Sequence, residues 1–355
     1  MAAQLDHYRL LGRSGLRVSP LALGTMTFGV GQGWGTDEAE AARMLDLYAE
    51  RGGNSIDTAN FYANGESERM LGKLLAGRRQ RFVVASKYSL TMRPGDPNAS
   101  GNHRKNMLQS VEASLQRLAT DHIDLLYLHV WDQRTPVDEI LRAFDDLVRA
   151  GKIGYIGLSD TPAWQASRMQ AIAELRGWST FAALQIPYNL TERTVERDLM
   201  PMAREMGFGV LPWSPLAGGV LSGKYRAADL DAPQGEAKPR FDSRREINLA
   251  TGRLSERNLA IATVAAAIAD EIGRPPAQIA LAWTLLNPAV TSPILGVRTL
   301  AQLQDNLGAL DVSFSDEQIA RLDAVSRIEL GFPHAFLAST ATIRTMFGGV
   351  DVAMR

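Results

Sequence analysis

The stretch Ile123–His129 has the sequence IDLLYLH, a short apolar run that ends in a histidine. A nearly continuous apolar run is typical of a strand that is buried on both faces of a parallel sheet. Amphipathic helices are predicted on both sides of it, over Lys105–Leu118 and from Thr135-Pro136 onwards. The run therefore predicts one strand of an α/β protein in which strands and helices alternate.

Seven further runs of this kind occur along the chain, with a helix predicted before each next run. They are Leu21–Gly24, Asn54–Asp57, Arg81–Lys87, Ile153–Leu158, Phe181–Gln185, Gly209–Trp213 and Ser292–Leu295. Eight such units match a closed barrel, which needs about 250 residues, better than an open six-stranded sheet. We therefore predict that residues 1–355 form a single (β/α)8 TIM-barrel domain. Thr36 is predicted to cap the helix after the first strand.

Three segments lie outside this alternation. Residues 1–20 are predicted to form a hairpin that caps the bottom of the barrel. Extra helices or loops follow the seventh and eighth strands, and Tyr225–Leu254 is predicted to be an irregular insertion over the active-site end. Residues 328–355 form a tail that is expected to pack on the barrel or on a neighbouring subunit.

Composition excludes several classes of protein. The chain has no cysteine, which excludes disulfides, thiolate catalysis, zinc ribbons and iron–sulfur clusters. Its net charge of −1 gives no general attraction to nucleic acid or anionic lipid. No apolar run reaches the roughly 18 residues of a membrane span, and the N-terminus has no signal-peptide pattern. The five histidines are scattered, without metal-ligand spacing. We therefore expect a cytoplasmic protein that binds no metal, nucleic acid or membrane.

Two glycine-rich motifs are rejected as nucleotide-binding signatures. Residues 29–35, GVGQGWG, do not meet the Gly-x-Gly-x-x-Gly spacing and are interpreted as a flexible loop at a strand end. Residues 218–225, GGVLSGKY, place Tyr225 where a P-loop needs Ser or Thr to bind magnesium. ATP binding is therefore not expected.

Four polar side chains stand at or just after the ends of three consecutive predicted strands. Asp57 ends the second strand and Tyr62 follows it in the loop, whereas Lys87 and His129 end the third and fourth strands. Each alone is more often structural: a helix cap, a loop aromatic, a solvated strand end or a hydrogen-bonding histidine. Together they converge on one mouth of the barrel, where Asp57 and Lys87 can satisfy each other's buried charge.

These residue types suit the reduction of a carbonyl group, which needs a hydride donor and a proton donor. A tyrosine has an ordinary pKa near 10, and a neighbouring ammonium group makes it a stronger acid. Lys87, held by Asp57, is expected to lower the pKa of Tyr62 in this way. His129 is expected to position the carbonyl oxygen or share its proton. We therefore predict acid catalysis by Tyr62 without a metal.

The segments that carry these residues resemble those of the aldo-keto reductases, in particular the bacterial-type branch that is similar to channel β subunits. The resemblance runs from about residue 8 to about residue 330. It rests on LLGRSGLRVS (10–19), LGT (23–25), IDTANFY (56–62), ASK (85–87) and DLLYLH (124–129). It implies reversible hydride transfer between a nicotinamide cofactor and an aldehyde or ketone. The implied catalytic tetrad is Asp57, Tyr62, Lys87 and His129.

The same resemblance implies a nicotinamide site at the strand ends. Ser159, Asp160 and Gln185 would hold the carboxamide, and Asp160 replaces the asparagine that is usual in the family. An aspartate can accept from the amide NH2 but cannot donate to the carbonyl. Trp213 would stack on the nicotinamide face. Further contacts are implied for the first loop and for a pyrophosphate loop: Gly24, Thr25, Met26, Ser214, Leu216, Gly218 and Lys224, with Asp57 beside them.

A phosphate site is predicted after the eighth strand, where Gly296 leads into a helix whose N-terminus favours an anion. Arg298 could clamp a 2′-phosphate, and this residue is the reason for predicting NADPH/NADP+ rather than NADH. Alternatively, Arg298 only caps a surface helix. Gln302 and Asn306 share a helix face that can reach the adenine, and Asp305 stands where the family often has glutamate.

Aromatic side chains are predicted to line the substrate pocket, namely Phe28, Trp34, Tyr88 and Trp131. Such walls favour an apolar, small-molecule carbonyl substrate, and a homo-oligomer is also considered. Two alternatives stay open. One is a cofactor-binding regulatory subunit that resembles channel β subunits and has little turnover. The other is a lyase or isomerase that uses Lys87 as a Schiff base, which needs an unpaired lysine.

Overall fold

The computed structural model of the protein describes residues 4–30, 35–230 and 243–350. Eight parallel strands follow one another in the order β10-β3-β4-β5-β6-β7-β8-β9. The two edge strands of this sheet, β9 and β10, approach each other. A parallel bridge joins Val210 of β9 to Val290, which shortly precedes β10. The predicted (β/α)8 barrel is therefore confirmed. Its strands are β3 (Ala22–Gly24), β4 (Ser55–Asp57), β5 (Val83–Tyr88), β6 (Ile123–Leu128), β7 (Ile153–Ser159), β8 (Phe181–Pro187), β9 (Gly209–Trp213) and β10 (Ile294–Gly296).

The predicted N-terminal hairpin is also present, as antiparallel strands β1 (Arg9–Leu10) and β2 (Arg17–Val18). Its turn lies against the amino ends of β8 and β9, where Arg13 N–H donates to the carbonyl of Gly207 over 2.9 Å. Gly12 has φ +57°, and a Cβ atom there would lie 2.5 Å from the carbonyl oxygens of Ala182 and Gly207. Only glycine allows the hairpin to approach the barrel bottom this closely.

In the described residues, helices connect the strands and follow the last strand. They are α1 (Glu38–Glu50), α2 (Glu66–Leu74), α3 (Arg104–Leu118), α4 (Val137–Arg149), α5 (Ala163–Arg176), α6 (Leu199–Met206), α7 (Arg244–Ala250), α8 (Glu256–Ile272), α9 (Pro276–Thr284), α10 (Leu300–Leu307), α11 (Asp316–Ser326), α12 (His334–Leu337) and α13 (Thr340–Phe347). None of them is long and apolar enough to cross a membrane.

Two local predictions are wrong. The cap of α1 is Asp37, whose carboxylate accepts from Glu40 N–H over 2.8 Å. Thr36 instead donates its hydroxyl to the carbonyl of Arg298, over 2.8 Å, because a tertiary contact uses the side chain. The insertion Tyr225–Leu254 is not wholly irregular, since α7 begins inside it with Ser243 as its cap. Residues 231–242 of the insertion lie outside the described residues.

The alternation of side chains along the strands decides what points into the barrel. A compact apolar cluster contains Val83 and Ala85 of β5 and Leu125 and Tyr127 of β6. Leu11 and Val18 of the hairpin belong to the same cluster, which therefore fills the barrel interior above the hairpin. Lys87 has the same parity as Val83 and Ala85, so it continues this inward-facing row at the carboxyl end.

The C-terminal tail begins against the loop that precedes α6. Arg197 donates to the carbonyl of Glu329 over 2.8 Å, and the His334 ring lies 3.2 Å from the carboxylate of Asp198. Beyond these contacts the tail exposes large apolar side chains, among them Phe332 and Phe336. The tail is thus attached to the barrel through its first residues.

Candidate active site

Asp57, Tyr62 and Lys87 meet at the carboxyl ends of β4 and β5. The Nζ atom of Lys87 lies 2.6 Å from Oδ2 of Asp57, 3.1 Å from the hydroxyl oxygen of Tyr62 and 2.8 Å from the carbonyl oxygen of Thr58. The lysine side chain has no exposed surface. An ammonium group has three donors, and each of them here faces an acceptor.

A second layer of residues holds Asp57 in place. Its Oδ1 atom accepts from Nε2 of Gln185 over 2.8 Å, and its backbone carbonyl accepts from the hydroxyl of Thr25 over 3.0 Å. Thr25 is fully buried, so it supports Asp57 from beneath and presents no surface to a ligand. Its predicted cofactor contact stays a prediction. Gly24 packs against Ile294 in this layer, and the predicted neighbour Met26 is exposed.

His129 follows β6 and stands beside the tyrosine. The two rings are edge-to-face, with centroids 6.0 Å apart. The Nδ1 atom of His129 is buried and has no hydrogen-bond partner among the described residues. Burial, aided by the Lys87 charge, lowers the pKa of His129 to about 3. The imidazole is therefore neutral at physiological pH.

Burial and charge act in opposite directions on Tyr62. Burial raises the pKa of its hydroxyl, and the Lys87 ammonium group lowers it without cancelling the effect of burial. Lys87 lowers the pKa as predicted, but the predicted net lowering is wrong. The loss of hydration destabilises the buried phenolate more than the charge of one ammonium group stabilises it. The tyrosine is therefore protonated at neutral pH, as a proton donor must be.

The charge of Lys87 is maintained by its neighbours. Burial lowers the pKa of this lysine, but the Asp57 carboxylate and Tyr62 together raise it above its ordinary value. A charged, paired lysine does not fit the neutral amine that Schiff-base chemistry needs. Within residues 4–30, 35–230 and 243–350, no group of His, Asp and Glu side chains is arranged to hold a metal ion.

The residues expected to hold nicotinamide lie at the next strand ends. Ser159 of β7 pairs in register with Gln185 of β8. Nε1 of Trp213, the last residue of β9, donates to Oδ1 of Asp160 over 3.2 Å. Asp160 has φ +42°, a left-handed conformation that Asp and Asn adopt more readily than most residues. The structure thus brings Ser159, Asp160, Gln185 and Trp213 to one side of the mouth.

The predicted pyrophosphate loop follows β9 and contains Ser214, Leu216, Gly218 and Lys224. Asn248 of α7 donates to the carbonyl of Gly218 over 3.1 Å, and a Cβ atom at Gly218 would lie 2.3 Å from Asn248 Oδ1. Gly218 has φ +65°, so glycine is required here for conformation and for space. The described part of the insertion therefore packs on this loop.

A group of basic side chains surrounds the loop, which we call the cationic cluster: Lys224, Arg244, Arg253 and Arg298. Burial, Arg298 and Arg244 lower the pKa of Lys224, and burial, Arg253 and Arg298 lower the pKa of Arg244. Lys224 and Arg298 form no ion pair within the part of the chain that the structure describes. Cations that destabilise one another suit an anionic ligand such as a nucleotide phosphate. The residues present therefore fit a phosphorylated cofactor.

Sequence reasoning missed Arg244 and Arg253. They follow an insertion, so only the tertiary structure brings them beside Lys224. Arg253 lies over the Trp213 ring, with its guanidinium carbon 5.7 Å from the ring centroid. The available signal was the arginine-rich run RREINLATGR at residues 244–253, which a charge count along the chain could have found.

The start of α10 differs from the prediction. Leu300 N–H donates to the carboxylate of Glu40 over 2.6 Å, and Arg298 N–H donates to the side chain of Gln302 over 2.9 Å. These backbone groups, expected to face a phosphate, are therefore satisfied by the protein's own side chains. Asp305 accepts from Gln278 over 3.1 Å and is turned towards α9. Gly296 and Arg298 are exposed and Asn306 is buried.

Two of the residues predicted to line the substrate pocket lie in the core. Phe28 and Tyr88 are fully buried in the core between barrel and helices. Tyr88 follows Lys87 in β5, so it points away from the barrel interior, and its ring packs edge-on against Phe144 with centroids 5.9 Å apart. Neither side chain has surface to offer a substrate.

The other two candidates have different outcomes. Trp131 is half-buried beyond β6 and packs edge-on against Trp164 at the start of α5, with ring centroids 5.4 Å apart. Trp164 is 61% exposed and was not predicted, since nothing in its local sequence places it beside Trp131. Trp34 lies outside the described residues.

Comparison with known proteins agrees with this geometry. The model of the Aldo/keto reductase family matches residues 20–327. The chain belongs to the aldo/keto reductase family. The norsolorinic acid reductase of Aspergillus flavus is 37% identical over 353 residues, which cover 95% of this chain and 86% of the relative. The uncharacterized oxidoreductase YrpG of Bacillus subtilis is 40% identical over 327 residues, covering 89% of this chain and 94% of the relative.

Membership of the aldo/keto reductase family makes this protein an oxidoreductase of carbonyl compounds. A third relative, the aldo-keto reductase ausK of Emericella nidulans, is 35% identical over 94% of this chain. These relatives are named as reductases or oxidoreductases, so the alternative of a regulatory subunit with little turnover is not favoured.

Proposed function

We propose that the protein reduces aldehydes or ketones to alcohols with NADPH, reversibly, with Tyr62 as the general acid. The observation that carries the proposal is the buried chain Asp57–Lys87–Tyr62, with Nζ 2.6 Å from the carboxylate and 3.1 Å from the hydroxyl. A protonated tyrosine can donate a proton, and the charged lysine already beside it stabilises the phenolate that remains.

Each residue of the tetrad has its own role in the proposed reaction. The Tyr62 hydroxyl donates its proton to the carbonyl oxygen as negative charge develops on that atom. Lys87 stabilises the phenolate that remains, and Asp57, fixed by Gln185, keeps the ammonium group in place. Neutral His129 orients the carbonyl oxygen beside Tyr62. The cofactor supplies the hydride when it is bound.

The preference for NADPH rests on the cationic cluster. Arg298 and Lys224 lie near Arg244 at the end of the mouth where the phosphates of a nucleotide would bind, and a 2′-phosphate adds two negative charges that NADH lacks. Ser159, Gln185 and Trp213 would hold the nicotinamide end. Gln302, Asp305 and Asn306 remain adenine candidates by family resemblance alone, because their described contacts are within the protein.

The substrate class follows from the aromatic pair at the mouth. Trp131 and the exposed Trp164 offer apolar surface beyond β6 and β7, which favours an apolar aldehyde or ketone. Several relatives are named norsolorinic acid reductases, which supports a reductive direction. Cytoplasmic location and self-association stay predictions.

The test is NADPH oxidation, followed by the absorbance of reduced nicotinamide, with purified protein and a panel of aromatic and aliphatic aldehydes. The same assay is run with NADH and with Tyr62→Phe. We expect the wild type to oxidise NADPH and Tyr62→Phe to lose at least about a hundredfold in kcat while calorimetry shows unchanged NADPH binding. Full activity of Tyr62→Phe, or the absence of turnover on every carbonyl compound by protein that binds NADPH, would overturn the proposal.

A further inference from the structure

Asp160 adds a carboxylate to the catalytic end of the site. It directly follows β7, beside Ser159 and close to Trp213, whose indole N–H donates to it over 3.2 Å. The carboxylate is near enough to Tyr62 to raise the pKa of the hydroxyl and near enough to Lys87 to feel its charge. Its charge therefore influences the groups proposed to carry out the reaction.

The charges around Asp160 leave it uncompensated. Lys87 is paired with Asp57 at 2.6 Å, so the two charges cancel. Tyr62 and His129 are neutral at physiological pH for the reasons given above. Arg253 stacks on the Trp213 ring and forms no ion pair with Asp160 within the described ranges. Of the two carboxylates at this end, Asp57 is paired with a cation, whereas Asp160 has no ion-pair partner among the described residues.

The two forms of a nicotinamide cofactor differ in charge at this end. The oxidised ring carries one positive charge, and the reduced ring carries none. Resting on the nicotinamide site of the proposed function, we propose that Asp160 makes the protein bind NADP+ more tightly than NADPH, and so shifts the equilibrium of the bound couple towards NADP+ and alcohol, which is the direction of carbonyl reduction. An asparagine would hold the carboxamide without this electrostatic preference.

The size of the effect follows from Coulomb's law. At the effective dielectric constant of about 20 that suits protein sites, a carboxylate within about 10 Å of a positive ring favours the charged form by at least about tenfold. Because the reduced ring is uncharged, its affinity depends little on the charge of Asp160. The signature is therefore a change in the ratio of two dissociation constants, with most of the change in that of NADP+.

Asp160→Asn tests the charge while preserving the shape. Asparagine tolerates the left-handed conformation at φ +42°, and its carbonyl oxygen can still accept from Trp213. The matched control is Asp121→Asn, which removes the same charge from a side chain that is 92% exposed and precedes β6, at the opposite end of the barrel.

The experiment measures the Kd of NADP+ and of NADPH by titration calorimetry for the wild type and both variants. Because burial raises the pKa of Asp160, the titrations are made at about pH 8, far above the ordinary pKa of an aspartate. We expect Asp160→Asn to weaken NADP+ binding about tenfold, to leave NADPH binding within about twofold, and to raise the equilibrium constant for alcohol oxidation measured with enzyme in excess of cofactor. Asp121→Asn should match the wild type.

Three results would overturn the inference. The first is an unchanged Kd ratio in Asp160→Asn, and the second is an equal loss for both cofactors. The third is a change confined to the KM of cationic substrates, which would make Asp160 a substrate contact. Failure of the wild type to bind either cofactor would instead overturn the proposed function, so the two failures are distinguishable.

Discussion

The Lys87 ammonium group and the Asp57 carboxylate lie 2.6 Å apart with 0% and 5% of their side chains exposed. Two buried charges persist only when they are paired and fully hydrogen-bonded. The same pair that supports Tyr62 is therefore part of what determines the stability of the barrel mouth.

Removing either charge alone is expected to destabilise the protein. Lys87→Met leaves the Asp57 carboxylate buried without a cation, so the free energy of unfolding should fall by about 3–5 kcal/mol, and Asp57→Leu should do the same. The double variant should recover most of this loss, because no buried charge remains, although activity stays absent. Urea unfolding of the four proteins measures this.

The control is the surface pair of Lys73 and Glu38, at 2.8 Å with side chains 63% and 49% exposed. Lys73→Met should leave the urea midpoint almost unchanged, because a surface ion pair contributes little to stability. A double variant of Lys87 and Asp57 that is as unstable as the sum of its single variants would contradict the buried-pair interpretation.

The pH profile of carbonyl reduction should lack a step near 6.5. The pKa of His129 lies at about 3 and that of Tyr62 lies above its ordinary value of 10. Between these limits neither group titrates, so kcat/KM should be flat across the neutral range and fall only in strong alkali as Tyr62 loses its proton. A decline centred near pH 6.5 that disappears in His129→Asn would show that His129 titrates normally and contradict this prediction.

His129 should also make stability depend on pH. Its pKa falls from an ordinary 6.5 to about 3 in the folded protein, so between these values the unfolded chain binds a proton that the folded protein excludes. Stability should therefore decrease as pH falls below about 6.5, by at most about 1.4 kcal/mol for each pH unit. His129→Asn should reduce this slope in denaturant titrations, whereas His7→Asn, at an exposed position, should leave it unchanged. Equal slopes in all three proteins would rule out the effect.

Arg298 should discriminate between the two nicotinamide dinucleotides. Arg298→Gln removes a charge-assisted contact worth about 1.5–3 kcal/mol, so the Kd of NADPH should rise about tenfold to a hundredfold while that of NADH changes little. Calorimetric titration of both cofactors measures this, with Arg168→Gln, on the exposed face of α5, as the control. An equal loss for both cofactors would mean that Arg298 holds the shared part of the molecule or only the helix.

Predictions based on local spacing and strand ends agree well with the structure. The end of β5 shows both outcomes. The sequence predicts Lys87 at the mouth, where it lies, and Tyr88 in the substrate pocket, whereas alternation turns the Tyr88 side chain into the core. The parity of a strand was readable from the sequence, because Val83, Ala85 and Lys87 share one face. Thr36 differs, since its hydroxyl is used by the carbonyl of Arg298, a partner that no local pattern reveals.

Hydrophobic periodicity and the parallel order of strand ends are local properties, so the eight strands, the hairpin and the convergence of Asp57, Tyr62, Lys87 and His129 on one mouth could all be predicted from the sequence. The net pKa shift of Tyr62, the pairing of Gln185 with Asp57, and the meeting of Arg244 and Arg253 with Lys224 and Trp213 could not be predicted in this way. Burial, charge coupling and contacts across an insertion depend on distances between residues far apart in the chain, and those distances exist only once the barrel has closed.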